Sequence, residues 1–156
     1  MINMKLAEAL VFRADSYKKI AQLKQRLERV VKVQEGETPA EDPQALITEL
    51  ESTLLEQTNW IRLINRTNAV TPFANDMTIA DALAERDRLM QQRKLLSDIL
   101  EQASIRQDRF SRSEVRYERT IDVAAIQKKI DELSKSYREL DFRVQEMNWK
   151  TDLIED

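Results

Sequence analysis

The chain contains no cysteine and no histidine, and its 156 residues include one glycine and three prolines. Without cysteine or histidine it cannot form disulfides, thiol nucleophiles, the imidazole acid–base pairs of most hydrolytic triads, or the metal sites that those side chains build. The composition still allows a metal centre built wholly from oxygen ligands. We therefore expect a non-enzymatic protein with no cofactor and no metal.

The scarcity of glycine, proline and aromatic residues also indicates the fold class. Charged residues make up 34% of the chain and hydrophobic residues 42%, whereas aromatic residues make up 6%. Long helices with solvated outer faces have this profile, because β-sheet folds need more turn, β-branched and aromatic residues. The composition therefore predicts an all-α protein, and the length suits a single helical domain over residues 1–156.

Net charge and hydropathy limit the partners and the location. The net charge is −3, so the chain as a whole has no field that attracts nucleic acid. No window approaches the roughly 20 apolar residues needed to span a bilayer. The apolar run at residues 6–12 is interrupted by Glu8 and is too short for a secretory signal. We expect a cytoplasmic protein without a nucleic-acid partner, and membrane insertion stays an alternative.

Apolar residues recur at helical spacing in four segments, each bounded by turn or capping residues. The predicted helices span about 3–34, 43–69, 79–104 and 122–155. Asp42 and Asp122 stand where they can cap the second and fourth helices, and Pro43 suits a first helical position. Four helices predict an antiparallel four-helix bundle, or else long helical hairpins that complete their core by dimerising.

The apolar positions also predict which faces pack. The seam of the second helix consists of Ile47, Leu50, Leu54, Gln57, Ile61, Ile64 and Asn68. The third helix places Arg86 and Arg93 on its seam, where we expect them to snorkel at the edge of the apolar stripe. The alternative is that they pair with carboxylates inside the bundle. Phe142 and Trp149 lie off the seam of the fourth helix and indicate a second contact face.

The connector before the fourth helix, "RFSRSEVRYERTIDV", does not follow a helical period. Residues 109–121 alternate with period two, which predicts an extended or β segment. Because no other stretch has a good strand pattern, we expect it to fold on itself or to pair with the same segment of a second subunit. The candidates for this oligomerisation contact, or alternatively for an anion or nucleotide site, are Arg109, Arg112, Ser113, Arg116 and Tyr117.

An up-down-up-down bundle would bring an acidic region and an arginine-rich region together at one end. Residues 33–61 carry seven acids and no base, whereas residues 106–119 carry five arginines and three acids. These regions would share one end and attract each other. The end of the second helix, the N-terminus and the C-terminal segment would lie together at the other end.

A second group of polar candidates lies at that other end. It consists of Asn65, Arg66 and Asn68 in the segment "INRTN", together with Asn148 and Trp149. Asparagine commonly caps helix ends, so a structural role accounts for the segment, and Asn68 on the seam would fix helix register. A polar ligand cradle formed by the whole group is the functional alternative.

Five motifs spread along the chain are similar to those of a known bacterial family. They are "MKLAEAL", "VQEGETPAEDP", "INRTN", "RQDRFSRSEVRY" and "VQEMNW", and the likeness runs from Met4 over nearly the whole chain. On these motifs the chain resembles the uncharacterised septicolysin-like family, whose label implies a membrane-active, pore-forming cytolysin. The residues themselves favour a non-enzymatic helical protein that assembles as a homo-oligomer, and the cytolysin is the alternative.

Overall fold

The computed structural model describes residues 3–104 and 116–155 and contains four helices. They are α1 (Leu6–Val30), α2 (Pro43–Val70), α3 (Ile79–Ser104) and α4 (Val123–Lys150). The prediction of an all-α fold with four helices is confirmed. The chain divides into two compact units, Met1–Ile79 with Gln145–Asp156, and Ala80–Val144.

In the first unit α1 packs antiparallel against α2. Lys19 on α1 pairs with Glu49 on α2 at 3.4 Å. One end of the hairpin is held by the stacked rings of Phe12 and Trp60, whose centroids are 5.2 Å apart. The apolar cluster at the other end consists of Leu23, Leu27, Val30 and Leu46, with Ile47 and Leu50 packed against it. Each such side chain contributes roughly 1.5–3 kcal/mol when fully buried, so this cluster is a principal source of the hairpin's stability.

The most buried face of α2 shares Ile64 with the predicted seam and otherwise lies beside it. Its buried residues are Leu46, Thr53, Ile64 and Thr67. Leu54, a predicted seam residue, is 42% exposed. The threonines fit this face because each hydroxyl donates to a carbonyl in the preceding turn: Thr53 donates to Glu49 at 2.8 Å. A hydroxyl with a local hydrogen bond can be buried at low cost, so these polar residues belong to the core.

The predicted caps are confirmed for the second and fourth helices. Asp42 Oδ1 accepts a hydrogen bond from Gln44 N at 3.1 Å, and Pro43 occupies the first turn of α2. Asp122 Oδ1 accepts from Ala125 N at 3.1 Å. Both carboxylates satisfy backbone donors that the first helical turn leaves without a partner.

Two helices are shorter than predicted. The predicted first helix reaches residue 34, but α1 ends at Val30. Val31 and Val33 are exposed, so packing does not offset the lower helix propensity of β-branched residues. The predicted fourth helix reaches residue 155, but α4 ends at Lys150 because the residues beyond it pair with the N-terminal segment instead.

The second unit is also built on an antiparallel helix pair, formed by α3 and α4. Arg86 Nη1 donates to Asp141 Oδ1 at 2.7 Å, and these side chains are 24% and 28% exposed. Arg93 Nη1 donates to Ser134 Oγ at 3.5 Å. The expectation that both arginines snorkel is therefore wrong for Arg86, which has a carboxylate partner on the facing helix. A half-buried guanidinium needs such a partner because its desolvation is costly.

Strands β1 (Pro72–Ala74) and β2 (Met77–Thr78) form a short antiparallel hairpin between α2 and α3. Asn75 in the turn has a φ of 40°, a conformation that asparagine tolerates better than most residues. The expectation that no stretch outside the connector forms a strand is therefore wrong. Strands of three and two residues are too short to show an alternating pattern in the sequence.

The predicted extended segment at residues 109–121 is only partly within the described residues. Residues 109–115 lie outside them, and residues 116–120 form neither helix nor strand. The described part of the connector therefore provides no strand, and the extended structure expected for the remainder stays a prediction.

Candidate functional site

The two ends of the chain pair with each other in the terminal clasp (residues 4–6 and 151–154). Leu6 N donates to the Thr151 carbonyl and Leu153 N to the Met4 carbonyl, each at 2.8 Å. The Leu153 side chain is buried. The clasp satisfies backbone groups that would otherwise be left at the start of α1 and the end of α4. No periodic pattern in the sequence indicates this pairing.

Thr67 connects the terminal clasp to α2. Its side chain is fully buried, and its hydroxyl donates to the Leu63 carbonyl at 2.8 Å. The same oxygen accepts a hydrogen bond from Ile154 N at 2.9 Å. One hydroxyl thus acts as both donor and acceptor, as its chemistry allows. The predicted proximity of the end of α2 and the two chain termini is confirmed.

The five predicted polar residues are divided between the interior and the solvent. Asn65, Arg66 and Trp149 are exposed, whereas Asn148 is buried. Asn68 is partly buried, and its Oδ1 is a buried oxygen without a hydrogen-bond partner. α2 ends at Val70, and the N–H of the next residue, Thr71, donates to the Thr67 carbonyl. Capping by an asparagine is therefore not what ends α2.

The connector candidates are only partly within the described residues. Arg109, Arg112 and Ser113 lie outside them, and Arg116 and Tyr117 are exposed. In the same connector, Arg119 Nε donates to the carbonyl of Ala103 at 2.9 Å, near the end of α3. A cation at this position interacts favourably with the carbonyl end of a helix. The oligomer contact and the anion site expected for this segment stay predictions.

The carboxyl groups with a lowered pKa are exposed members of ion pairs. They are Glu41 beside Arg26, Glu85 beside Arg88 and Asp152 beside Lys5, and in each the hydrogen bond from the basic side chain lowers the pKa of the carboxyl group. Surface pairs of this kind are ordinary structural features. Across residues 3–104 and 116–155, no three acidic side chains are grouped so that they could hold a metal ion.

An open groove of about 330 Å³ lies in the second unit, where α3 and α4 meet. Its lining consists of Ser97, Leu100, Glu101, Ser104, Gln127 and Ile130. Glu101 is the sole titratable group in this lining.

The α1–α2 hairpin has an apolar stripe beside its buried core. We call Tyr17, Ile20, Leu50 and Leu54 the outer stripe. Tyr17 is 54% exposed and Leu54 is 42% exposed, while Ile20 and Leu50 are half-buried. Leu50 and Leu54 occupy predicted seam positions of the second helix, yet the helix–helix contact buries Leu46 and Thr53 beside them more deeply.

The fold and these surfaces describe an all-α protein with exposed apolar faces. Residues 13–153 match the model of a family of unknown function (DUF6847), and the chain belongs to that family. A similar solved structure is the crystal structure of a functionally unknown conserved protein from Corynebacterium diphtheriae. It is 47% identical, has a TM-score of 0.89, and the match covers 98% of this chain and 100% of that chain. No curated protein matches the chain.

The resemblance to the septicolysin-like family is wrong, because the family that matches is DUF6847 and the similar structure has no named activity. The cytolytic activity that the resemblance implied loses its basis. Among the described helices, none combines the length and apolar character needed to cross a membrane.

We expect Thr67→Val to lower the free energy of unfolding by about 1–3 kcal/mol, because it leaves Ile154 N without an acceptor. Thr58→Val is the matched control: Thr58 makes the same type of bond, to the Leu54 carbonyl, but is exposed. The control should change stability by less than about 0.5 kcal/mol. Urea denaturation measures both variants, and equal effects would contradict the role assigned to Thr67.

The ion pair of the terminal clasp predicts a dependence of stability on pH. Lys5 Nζ donates to Asp152 at 2.6 Å, which lowers the pKa of Asp152, with a further hydrogen bond from Asn3. A lowered pKa in the folded state adds stability above the unfolded pKa, and this contribution is lost as the pH falls through the folded value. The stability advantage of the native chain over Asp152→Asn should therefore be largest near neutral pH and disappear in acid.

Lys5→Met provides the control for this pH dependence. In the Lys5→Met background, the Asp152→Asn substitution should lower the free energy of unfolding at neutral pH by less than it does in the native chain. The reason is that the Lys5 ammonium, the main cause of the lowered pKa of Asp152, is then absent. Denaturation curves recorded from about pH 7 to about pH 3 measure the effect in both backgrounds. An advantage of Asp152 that stays constant over this range would contradict the assignment.

Proposed function

We propose that this protein is a non-enzymatic helical assembly protein that associates with further copies of itself. The observation that supports the proposal is the exposure of large apolar side chains on the described helices, among them Tyr17 and Leu54 in the outer stripe. Contiguous exposed apolar surface on a protein of this size commonly marks a site of protein association. A second copy is a partner that is present wherever the chain is expressed.

The second unit supports the proposal independently. Leu95 is 54% exposed, Ile99 is 48% exposed and Phe142 is 69% exposed. Leu95 and Ile99 are four residues apart on α3 and therefore lie on one side of that helix. Aromatic and aliphatic residues of this kind are enriched in the centres of protein interfaces.

The non-enzymatic part of the proposal rests on the chemistry of the side chains. The chain has no histidine or cysteine, the residues most often used as acid–base groups and nucleophiles at neutral pH. The lowered carboxyl pKa values have surface ion pairs as their cause. The cytoplasmic location and the absence of a nucleic-acid partner, both expected from the sequence, stay predictions.

Size-exclusion chromatography with light scattering tests the proposal. We expect a mass that is a multiple of the 18.3 kDa chain mass and that falls towards the monomer value on dilution. Tyr117→Asp, at a side chain that is 83% exposed, reports whether the connector takes part, because a charge there would weaken an apolar contact. A native chain that remains monomeric from micromolar to millimolar concentration would contradict the proposal.

A further inference from the structure

We infer that the groove between α3 and α4 binds a small carboxylic acid, whose carboxylate pairs with Arg93 and whose apolar body lies on Leu100 and Ile130. The site lies within the second unit and does not depend on the self-association proposed above. Three features of the α3–α4 pair support it, namely a polar contact between the helices, a guanidinium without an anionic partner, and the space beside that guanidinium.

A single register describes how α3 and α4 face each other. The facing pairs, read along α3, are Arg86 with Asp141, Arg93 with Ser134, and Ser97 with Ile130. Each step forward on α3 equals the step back on α4, first seven residues and then four, as antiparallel helices in contact require. Arg93 therefore lies one helical turn before Ser97 on the same side of α3, at the border of the groove.

Small polar side chains create the groove. Ser97 and Ser104 lie on the side of α3 that lines it, and Gln127 lines it from α4. Packed helices usually fill such positions with large apolar side chains, so serine at two of them leaves space between the helices. The groove has a volume of about 330 Å³, which lies within the range of small-molecule sites.

Arg93 is a half-buried cation that has no anionic partner within residues 3–104 and 116–155. Its Nη1 donates to the neutral Ser134 hydroxyl at 3.5 Å, whereas Arg86, seven residues earlier on the same side of α3, has Asp141 at 2.7 Å. The Ser134 hydroxyl in turn donates to the Ile130 carbonyl at 3.0 Å, which holds this contact beside the groove. Because a guanidinium removed from water needs an anion to replace its hydration, Arg93 is suited to bind an anionic ligand.

The charges at the two ends of the groove favour a carboxylate over a phosphate. Arg93 supplies one positive charge at one end, and Glu101 supplies one negative charge about 12 Å further along α3. A single carboxylate matches the charge of one guanidinium, and its two oxygens match the planar fork of N–H donors. A phosphate dianion would exceed the charge of Arg93 and would be repelled by Glu101.

The floor of the groove accounts for the apolar body of the ligand. Leu100 is half-buried and Ile130 is buried, and both line the groove. A short hydrocarbon chain attached to the carboxylate would remove this apolar surface from water, which favours binding. The Ser97 hydroxyl, which has no hydrogen-bond partner among the described residues, can donate to the same carboxylate.

Titration of the native chain with hexanoate, followed by two-dimensional ¹H–¹⁵N NMR, tests the site. Hexanoate should shift the amide signals of Ser97, Leu100, Ile130 and Ser134, and the shifts should saturate. Hexanamide has nearly the same shape but no charge, so it should bind at least about tenfold more weakly. Inorganic phosphate, which lacks the apolar body, should leave these signals unchanged.

Arg93→Met and Arg88→Met make a matched pair of variants. Both remove one arginine from α3, but Arg88 is exposed and forms an ion pair with Glu85. Arg93→Met should raise the dissociation constant of hexanoate at least about tenfold, and Arg88→Met should leave it nearly unchanged. Ser97→Leu should abolish binding, because it fills the groove without changing the charge. Circular dichroism with thermal unfolding checks that each variant remains folded.

Several results would overturn the assignment of this site. One is a native chain whose groove signals do not respond to hexanoate up to high millimolar concentrations. Another is equal weakening in folded Arg93→Met and Arg88→Met, which would attribute the effect to net charge. Retained binding in folded Ser97→Leu would locate hexanoate elsewhere, and hexanamide or phosphate binding as tightly as hexanoate would exclude a carboxylate site.

Discussion

The apolar contact between α1 and α2 is the interaction on which the other features of the first unit depend. It buries Leu23, Leu27 and Val30 against Leu46, and it fixes the level at which the two helices meet. Because side chains beside a helix contact can be only partly covered by it, the same packing leaves Tyr17 and Leu54 exposed. The outer stripe is therefore a consequence of how the hairpin closes.

The fold class and the helices could be predicted from the sequence because helical periodicity and capping are local signals. Asp42 and Asp122 cap the helices that their positions in the sequence indicate. The seam of α2 was harder to predict, since Thr53 and Thr67 count as polar in a sequence pattern although each is satisfied by a hydrogen bond to the preceding turn. A pattern of polar and apolar residues does not show whether a hydroxyl has a hydrogen-bond partner within its own helix.

The terminal clasp and the identity of the carboxylate that pairs with Arg86, Asp141, could not have been predicted in the same way. Both join residues far apart in the chain, and each depends on how elements pack rather than on a repeating pattern. The β hairpin beside α2 is too short to show alternation. Leu50 and Leu54 could thus be predicted as apolar seam positions of the second helix, but the exposure of Leu54 results from the neighbouring face of α2 that packs against α1.

The family to which the chain belongs has no known function. The surfaces of the molecule are therefore the guide to what the chain does. Hydroxyl-radical footprinting of the native chain at increasing concentration tests the central claim most directly, since it reads side-chain exposure without any substitution. Tyr17 and Leu54 should become protected as the concentration rises, while Leu55 should react at a constant rate. Unchanged reactivity of Tyr17 and Leu54 in an associated sample would contradict the claim.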